Sequence, residues 1–344
     1  MASAGPSGHQ QTDCISHGIR VHPETRCPDR AFSMLSVEKE FKKTKKIKSI
    51  GPGVPITSDN VRIVCISDTH SRTNRLDVPA GDVLIHAGDF TFHGGMGEVQ
   101  AFANFLATQP HKHKVVIAGN HELSFGYCDG FCDIRTFKRL LGSTGVDSMK
   151  QKMQELNINH PRELLPKDVV YLNNSAATVC GLKMWGSPWS PYFHGWAYNA
   201  QRGKEILKIW DGIPSNTDVV ITHTPPVGVG DQISSGDRVG CVELYTTLKE
   251  RVRPQLHVFG HIHEGYGLYT DGTTLYANAS TCNINYKPIN NPICIDLPLP
   301  EGFSKEDVRV EAGMSNHEVS REFLQQQSNV SQSGGCAGCF QWRL

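Results

Sequence analysis

The sequence predicts an α/β fold, and three observations carry that prediction. Short apolar, β-branched runs alternate with a helical pattern in the order strand, helix, strand. Carboxylate, amide and imidazole residues stand directly after those runs. The second half is dense in further short strands, which predicts a second sheet packed on the first.

The first strand is Val61 to Ile66, and it leads into Ser67-Asp68-Thr69-His70. In extended chain, residues two apart point to the same side, so Asp68 and His70 are expected to converge on one cation. The plain alternative is an Asx turn beside a surface histidine. Asp82 to Ala87 is a second buried strand and ends in Gly88-Asp89. A helical pattern runs from Glu98 to Thr108. Lys114 to Ala118 is a third strand, followed by Gly119-Asn120-His121-Glu122. Residues 123–166 read as an insertion, with a helix around Ser148 to Leu156. Its Cys128 and Cys132 are spaced C-x3-C and lack two further ligands for a zinc site.

Strands follow at Val169 to Leu172, Ala177 to Val179 and Leu182 to Gly186. The stretch from Ser187 to Trp196 is too rich in proline for a helix or a central strand. Its aromatics either stack a flat ligand or pin the loop itself. Gln201 to Trp210 is a helix candidate. Asp218 to Thr222 is a buried strand ending in His223. Gly240 to Arg251 reads as a helix with Val242, Leu244, Tyr245 and Leu248 on its apolar face. Leu256 to Phe259 is a strand ending in Gly260-His261-Ile262-His263, and Leu275 to Ala279 and Ile293 to Leu297 close the fold.

A chain of 344 residues accommodates one large domain with tails. The expected domain spans 58–303. Residues 1–57 are expected to be a flexible extension, whose basic run Phe41 to Lys48 is read as a solvated face. Residues 304–344 are expected to be a flexible tail, ending in the pair Cys336 and Cys339. The formal net charge is zero, so no global positive field draws nucleic acid. No apolar run approaches the ~20 residues of a membrane span. The N-terminus carries no apolar secretory region, so an intracellular, cytoplasmic protein with reduced cysteines is expected. Cys65, Cys180 and Cys294 lie in apolar runs and read as small core residues.

Five strand exits therefore supply Asp68 and His70, then Asp89, then Asn120 and His121, then His223, then His261 and His263. Strand ends on one edge of an α/β sheet face a common crevice. Carboxylate, imidazole and amide oxygen without thiolate suit Mn, Fe, Zn, Co or Ni, with manganese the first choice. The ligands are too many for one ion. Two ions ~3.5–4 Å apart and bridged by one carboxylate would use them all.

These motifs together, Asp68-x-His70, Gly88-Asp89, Gly119-Asn120-His121-Glu122, His223 and Gly260-His261-x-His263, resemble the signature of the calcineurin-like metallophosphoesterases. The wording around them is similar to one branch, the metallophosphoesterase-domain-containing proteins, relatives of class III cyclic-nucleotide phosphodiesterases. The likeness covers roughly residues 60–300. It implies two facing mixed β-sheets flanked by helices. It also implies a first metal on Asp68, His70 and His263, a second on Asn120, His223 and His261, Asp89 as the bridge, and His121 beside the phosphate. Phe90-Thr91-Phe92 and Thr224 depart from the usual pattern without removing a ligand.

The activity so implied is hydrolysis of a small phosphodiester, such as a cyclic nucleotide, by metal-bound hydroxide. His121 is expected to protonate the leaving alkoxide, oriented by Glu122 or another carboxylate. Two alternatives remain: a protein or nucleotide phosphomonoesterase on the same site, and a nucleotide-binding regulatory protein with incidental turnover.

Overall fold

Alternation of side chains along buried strands sets this architecture. The computed structural model describes residues 17–38, 41–51 and 53–311. Its strands are β1 (Lys45–Ile47), β2 (Asn60–Ile66), β3 (Val83–Ala87), β4 (His113–Ile117), β5 (Val169–Tyr171), β6 (Ser175–Val179), β7 (Leu182–Ser187), β8 (Ser190–Pro191), β9 (Asn199–Ala200), β10 (Val219–Thr222), β11 (Leu256–Phe259), β12 (Gly267–Thr270), β13 (Leu275–Asn278), β14 (Ile293–Pro298) and β15 (Val308–Val310). Its α-helices are α1 (Pro28–Leu35), α2 (Met96–Thr108), α3 (Leu123–Asp129), α4 (Ile134–Leu141), α5 (Ser143–Glu155), α6 (Lys204–Trp210) and α7 (Val242–Thr246).

One sheet has the order β14-β2-β3-β4-β5, and the other β1-β12-β13-β11-β10-β7-β6-β15. Strands β2 to β5 are parallel and β14 joins them antiparallel. In the larger sheet β7, β10, β11 and β13 are parallel, and β6, β12, β1 and β15 pair antiparallel. On β2, Val61, Ile63 and Cys65 enter a core shared with Val219, Ile221 and Val258 of the other sheet. The alternate residues Val64 and Ile66 join an outer core with Val99, Phe102 and Leu106 of α2. On β10, Val220 likewise joins the outer core, with Ile206 and Trp210 of α6. Both faces of the central strands are therefore covered, which is why they read as continuous apolar runs. Two facing mixed sheets flanked by helices are the fold the sequence predicted.

Two elements lie in the stretch expected to be a flexible N-terminal extension. Helix α1 buries Ala31 and Leu35 against Val227, Val242 and Tyr245. The Thr25 hydroxyl donates to the Glu243 carboxylate. Strand β1 closes one edge of the larger sheet, pairing Lys46 with Tyr269. The basic run is thus partly an edge strand, and its lysines discourage pairing with another chain. At the opposite edge β15, inside the expected tail, pairs with β6. Each of these strands has three residues, too few to show alternation. The pair Cys336 and Cys339 lies outside the described residues. Among the described residues, no helix is long and apolar enough to cross a membrane.

Deletion of residues 1–57 is accordingly expected to uncover Val227, Val242 and Tyr245. Loss of one buried leucine alone costs about 1.5–3 kcal/mol. A fall in Tm of roughly 3–12 °C follows at about 2–4 °C per kcal/mol. An unchanged melting curve for the shortened chain would show that α1 contributes nothing.

The insertion forms α3, α4 and α5, and the last begins five residues before the expected Ser148. In the aromatic loop, Trp189 is fully buried against Phe131, with ring centroids 4.8 Å apart. Trp189 thus pins the loop to the insertion, and Trp196 packs on His121, so the loop's rings are held by neighbouring segments. Cys65, Cys180 and Cys294 are buried free thiols, as their apolar surroundings predict.

Candidate metal centre

The parallel strands β2, β3 and β4 of one sheet and β10 and β11 of the other deliver their C-terminal ends to one place. The expected geometry at Asp68 and His70 needs correction: the chain there is not extended. Asp68 (φ 49°) and His70 (φ 41°) both adopt left-handed backbone, as do Asp89 (φ 57°) and His261 (φ 68°). Each such conformation in a non-glycine residue costs on the order of 1–3 kcal/mol. Loop-to-loop bonds hold it in place, with Asp68 N donating to Gly88 O at 2.9 Å and His70 N to Asp89 O at 3.0 Å. Two glycines of the motifs are required by space. A Cβ on Gly119 would overlap Asp89 Oδ1 and lie 2.7 Å from His223 Cε1. A Cβ on Gly260 would overlap Asp68 Oδ2 and Ser67 Oγ.

Three groups place their ligand atoms within 4.8 Å of one another: Asp68, His70 and His263; His70, Asp89 and His121; Asp89, His223 and His261. Asp68, His70 and His223 are fully buried. The tautomers follow from the backbone. His70 Nδ1 lies 3.2 Å from Thr91 O, His263 Nδ1 3.0 Å from Asn283 O, His223 Nδ1 2.9 Å from Ala87 O and His121 Nδ1 2.6 Å from Phe92 O. A carbonyl oxygen only accepts, so each Nδ1 carries the hydrogen and each neutral ring turns a bare Nε2 inward.

Those inward atoms face other acceptors. His70 Nε2 and His263 Nε2 are 3.2 Å apart, and His263 Nε2 is 3.4 Å from Asp68 Oδ1. His223 Nε2 lies 2.9 Å from Asn120 Oδ1 and 3.2 Å from Asp89 Oδ2. Asp89 Oδ2 is also 3.7 Å from His121 Nε2 and 4.0 Å from His70 Nε2. Lone pair facing lone pair in a buried site calls for positive charge between them. The donor set fits divalent cations, with Asp89 central to both halves.

The acid–base balance agrees. Burial lowers His70, and it brings His261 down to about 3. Burial would lower His223 too, but the Asp89 charge and hydrogen bond prevail and raise it to about 9. His263 is raised against burial by its bond to Asp68. Burial opposes ionisation of Asp68 and Asp89, yet the histidines around them hold both below the usual carboxylate range. In the metal-free protein, protons on His223 and His263 stand where cations belong. Below about pH 9 a metal at His223 must displace a proton. Apparent metal affinity is therefore expected to rise with pH through neutrality, about tenfold per unit for each proton released. Calorimetric titration with Mn2+ in buffers of different ionisation enthalpy measures that release, and a pH-independent affinity would contradict it.

Glu122 or another carboxylate was expected to orient His121; Glu122 does not, and the carboxylate that lies at His121 is Asp89. The His121 ring is set by Phe92 O and by Trp196, whose ring centroid is 4.3 Å away. The fully buried Glu122 carboxylate instead accepts from Asp89 N (2.9 Å), Gly119 N (2.6 Å), Thr91 N (2.9 Å) and Thr91 Oγ1 (2.8 Å). It ties the loop after β3 to the loop after β4. Burial and the neighbouring Asp89 push it up to about 8, against the pull of those donors. Trp196 was read only as part of an aromatic loop. Glu98, read only as a helix start, accepts from Phe92 N at 2.8 Å and Gly95 N at 2.9 Å. A glutamate directly before an apolar helix was the one available signal for Glu122. Cys128 and Cys132 join none of the three ligand groups.

Two facing mixed sheets with this cluster at their common edge define a metallophosphoesterase. The family model for calcineurin-like phosphoesterases matches residues 61–265, and the chain belongs to that family. It is a phosphoester hydrolase. It is 43% identical over 296 residues to human "Metallophosphoesterase domain-containing protein 1", covering 85% of this chain and 88% of that protein. The mouse protein of the same name is 43% identical, covering 82% and 86%. A UPF0046 protein of Caenorhabditis elegans is 40% identical, covering 78% and 92%.

Proposed function

We propose that this chain hydrolyses small phosphodiesters, cyclic nucleotides among them, at a pair of divalent ions, manganese first among the candidates. The observation that carries the reading is the convergence of inward Nε2 atoms and carboxylate oxygens in three groups linked to one another through His70 and Asp89. Asp68, His70 and His263 would hold one ion, and Asn120, His223 and His261 the other, with Asp89 between them. When bound, such ions would neutralise phosphoryl charge and acidify a water.

The chain's own residues do the rest. The hydrogen bond from Nδ1 to Phe92 O fixes the His121 ring, leaving Nε2 as the atom that carries or gives a proton. Trp196 and His70 pack against that ring. Glu122 and the loop bonds hold Asp89 in its left-handed conformation. The described cysteines are free thiols, which supports a reducing, intracellular setting.

The test is turnover of bis-p-nitrophenyl phosphate against p-nitrophenyl phosphate, after chelation and after reloading with Mn2+. Metal-dependent preference for the diester is expected. Preference for the monoester would assign a phosphomonoesterase. Tight AMP binding with negligible turnover of either would assign a nucleotide-binding regulator. Full turnover by the metal-free chain would overturn the metal assignment.

A further inference from the structure

Two histidines outside the ligand set occupy equivalent places in the two sheets. His86 is on β3, opposite Ile66 of β2, and His257 is on β11, opposite Val220 of β10. Both are fully buried. Each reaches past its register partner to the exit of the neighbouring strand. His86 Nε2 lies 2.9 Å from Thr69 Oγ1, and His257 Nε2 lies 2.8 Å from Thr222 Oγ1. Thr69 sits between Asp68 and His70, and Thr222 directly precedes His223. The Thr222 hydroxyl donates to Thr224 O at 2.7 Å, so His257 Nε2–H is the donor to Thr222. That bond and the turn behind it fix the chain as it enters His223.

Apolar packing does not explain these residues. His86 lies against Phe90 and Phe102, with ring centroids 5.8 and 4.9 Å away. His257 lies against Phe259 at 4.8 Å. In each ring Nδ1 is buried without a hydrogen-bond partner among the described residues, which disfavours the folded state relative to an apolar side chain of similar shape. Burial holds both rings down to about 3, so they are neutral throughout the working range and are not pH switches. What each imidazole supplies is one bond to one threonine in a ligand-bearing loop.

We propose that His86 and His257 are a matched pair of positioning residues, each setting half of the metal-binding loops through a single threonine hydroxyl. His86 acts on Asp68 and His70, and His257 on His223. The inference rests on the two-ion reading above.

Calorimetric titration of the metal-free full chain with Mn2+, beside its melting curve, tests the pair. His86→Phe and His257→Phe are expected to keep or raise the metal-free Tm. Each is expected to lose about 10–100-fold in affinity for one of the two ions, the scale set by groups that support metal ligands. His86→Gln and His257→Gln can still hydrogen-bond the threonine and should recover most of that affinity. Thr69→Val and Thr222→Val approach the same bonds from the other side and should reproduce the phenylalanine losses, which keeps the test decisive where a phenylalanine variant does not fold. Folded variants that bind both ions as wild type does would overturn the inference alone. A wild-type chain that binds no ion would overturn the two-ion reading and this inference with it.

Discussion

Asp89→Asn is expected to weaken both metal sites at once and to cost more activity than any other single ligand change. Asp89 Oδ2 lies 3.2 Å from His223 Nε2, 4.0 Å from His70 Nε2 and 3.7 Å from His121 Nε2, so one oxygen serves both halves of the cluster. Asparagine keeps an acceptor for His121 N, which bonds Oδ1 at 2.9 Å, and the loop should hold its shape. The negative charge is lost. So is the main reason that His223 is raised to about 9, so the pH dependence of metal binding should flatten in the same variant. His261→Gly is the matched comparison. It removes one neutral ligand and relieves left-handed backbone at φ 68°, so folding should be intact. Loss of groups that merely support a ligand costs about 10–100-fold in affinity or activity, and a direct ligand should cost at least that. His261→Gly should lose affinity for one ion and regain activity at high metal. Asp89→Asn should lose affinity for both and recover little. Metal stoichiometry and kcat across an Mn2+ titration decide between them. Wild-type kcat in Asp89→Asn, or wild-type affinity for both ions in His261→Gly, would remove the shared-carboxylate assignment.

The central strands were legible in the sequence because both faces of β2, β3, β4, β10 and β11 are buried. Such strands appear as unbroken runs of Val, Ile and Leu ending where the chain turns polar. The candidate residues at their ends were legible for the same reason: the sheet carries every exit to one edge. The path by which they meet was not. Asp-x-His was expected to converge through extended chain, whereas Asp68 and His70 both sit at positive φ, a property of their surroundings. Nor could β1 and β15 be read from three residues each, because their placement depends on β12 and β6, distant in sequence. Glu122 looked like a neighbour of His121, but its partners are three backbone N–H groups and the Thr91 hydroxyl, and backbone groups have no sequence signature. His86 and His257 were lost inside apolar runs, where a single imidazole reads as one more buried residue.

His121→Asn should separate the proton-donating role from a supporting one by its dependence on the leaving group. The asparagine amide can still donate to Phe92 O, the partner that His121 Nδ1 meets at 2.6 Å. What it lacks is Nε2, the atom facing Asp89 Oδ2 at 3.7 Å. An alkoxide leaves a phosphodiester only when it is protonated or its charge is offset, while p-nitrophenolate leaves unaided. A positioned acid contributes about 10²–10⁴-fold. The variant is therefore expected to lose on that order in kcat on a diester with an alkyl leaving group, and less than about tenfold on bis-p-nitrophenyl phosphate. Burial lowers the His121 pKa below its ordinary value, with the Asp89 charge opposing. The protonated fraction consequently shrinks as pH rises through and above that lowered value. In the wild type, the alkyl-ester rate should fall over the same range while the nitrophenyl-ester rate does not. Metal content should be unchanged if His121 is no ligand: the residues proposed to hold the two ions do not include it, although its ligand atom groups with those of His70 and Asp89. Equal losses on both substrates, or a variant that binds fewer ions, would assign His121 to holding the centre together and leave protonation of the alkoxide to another group.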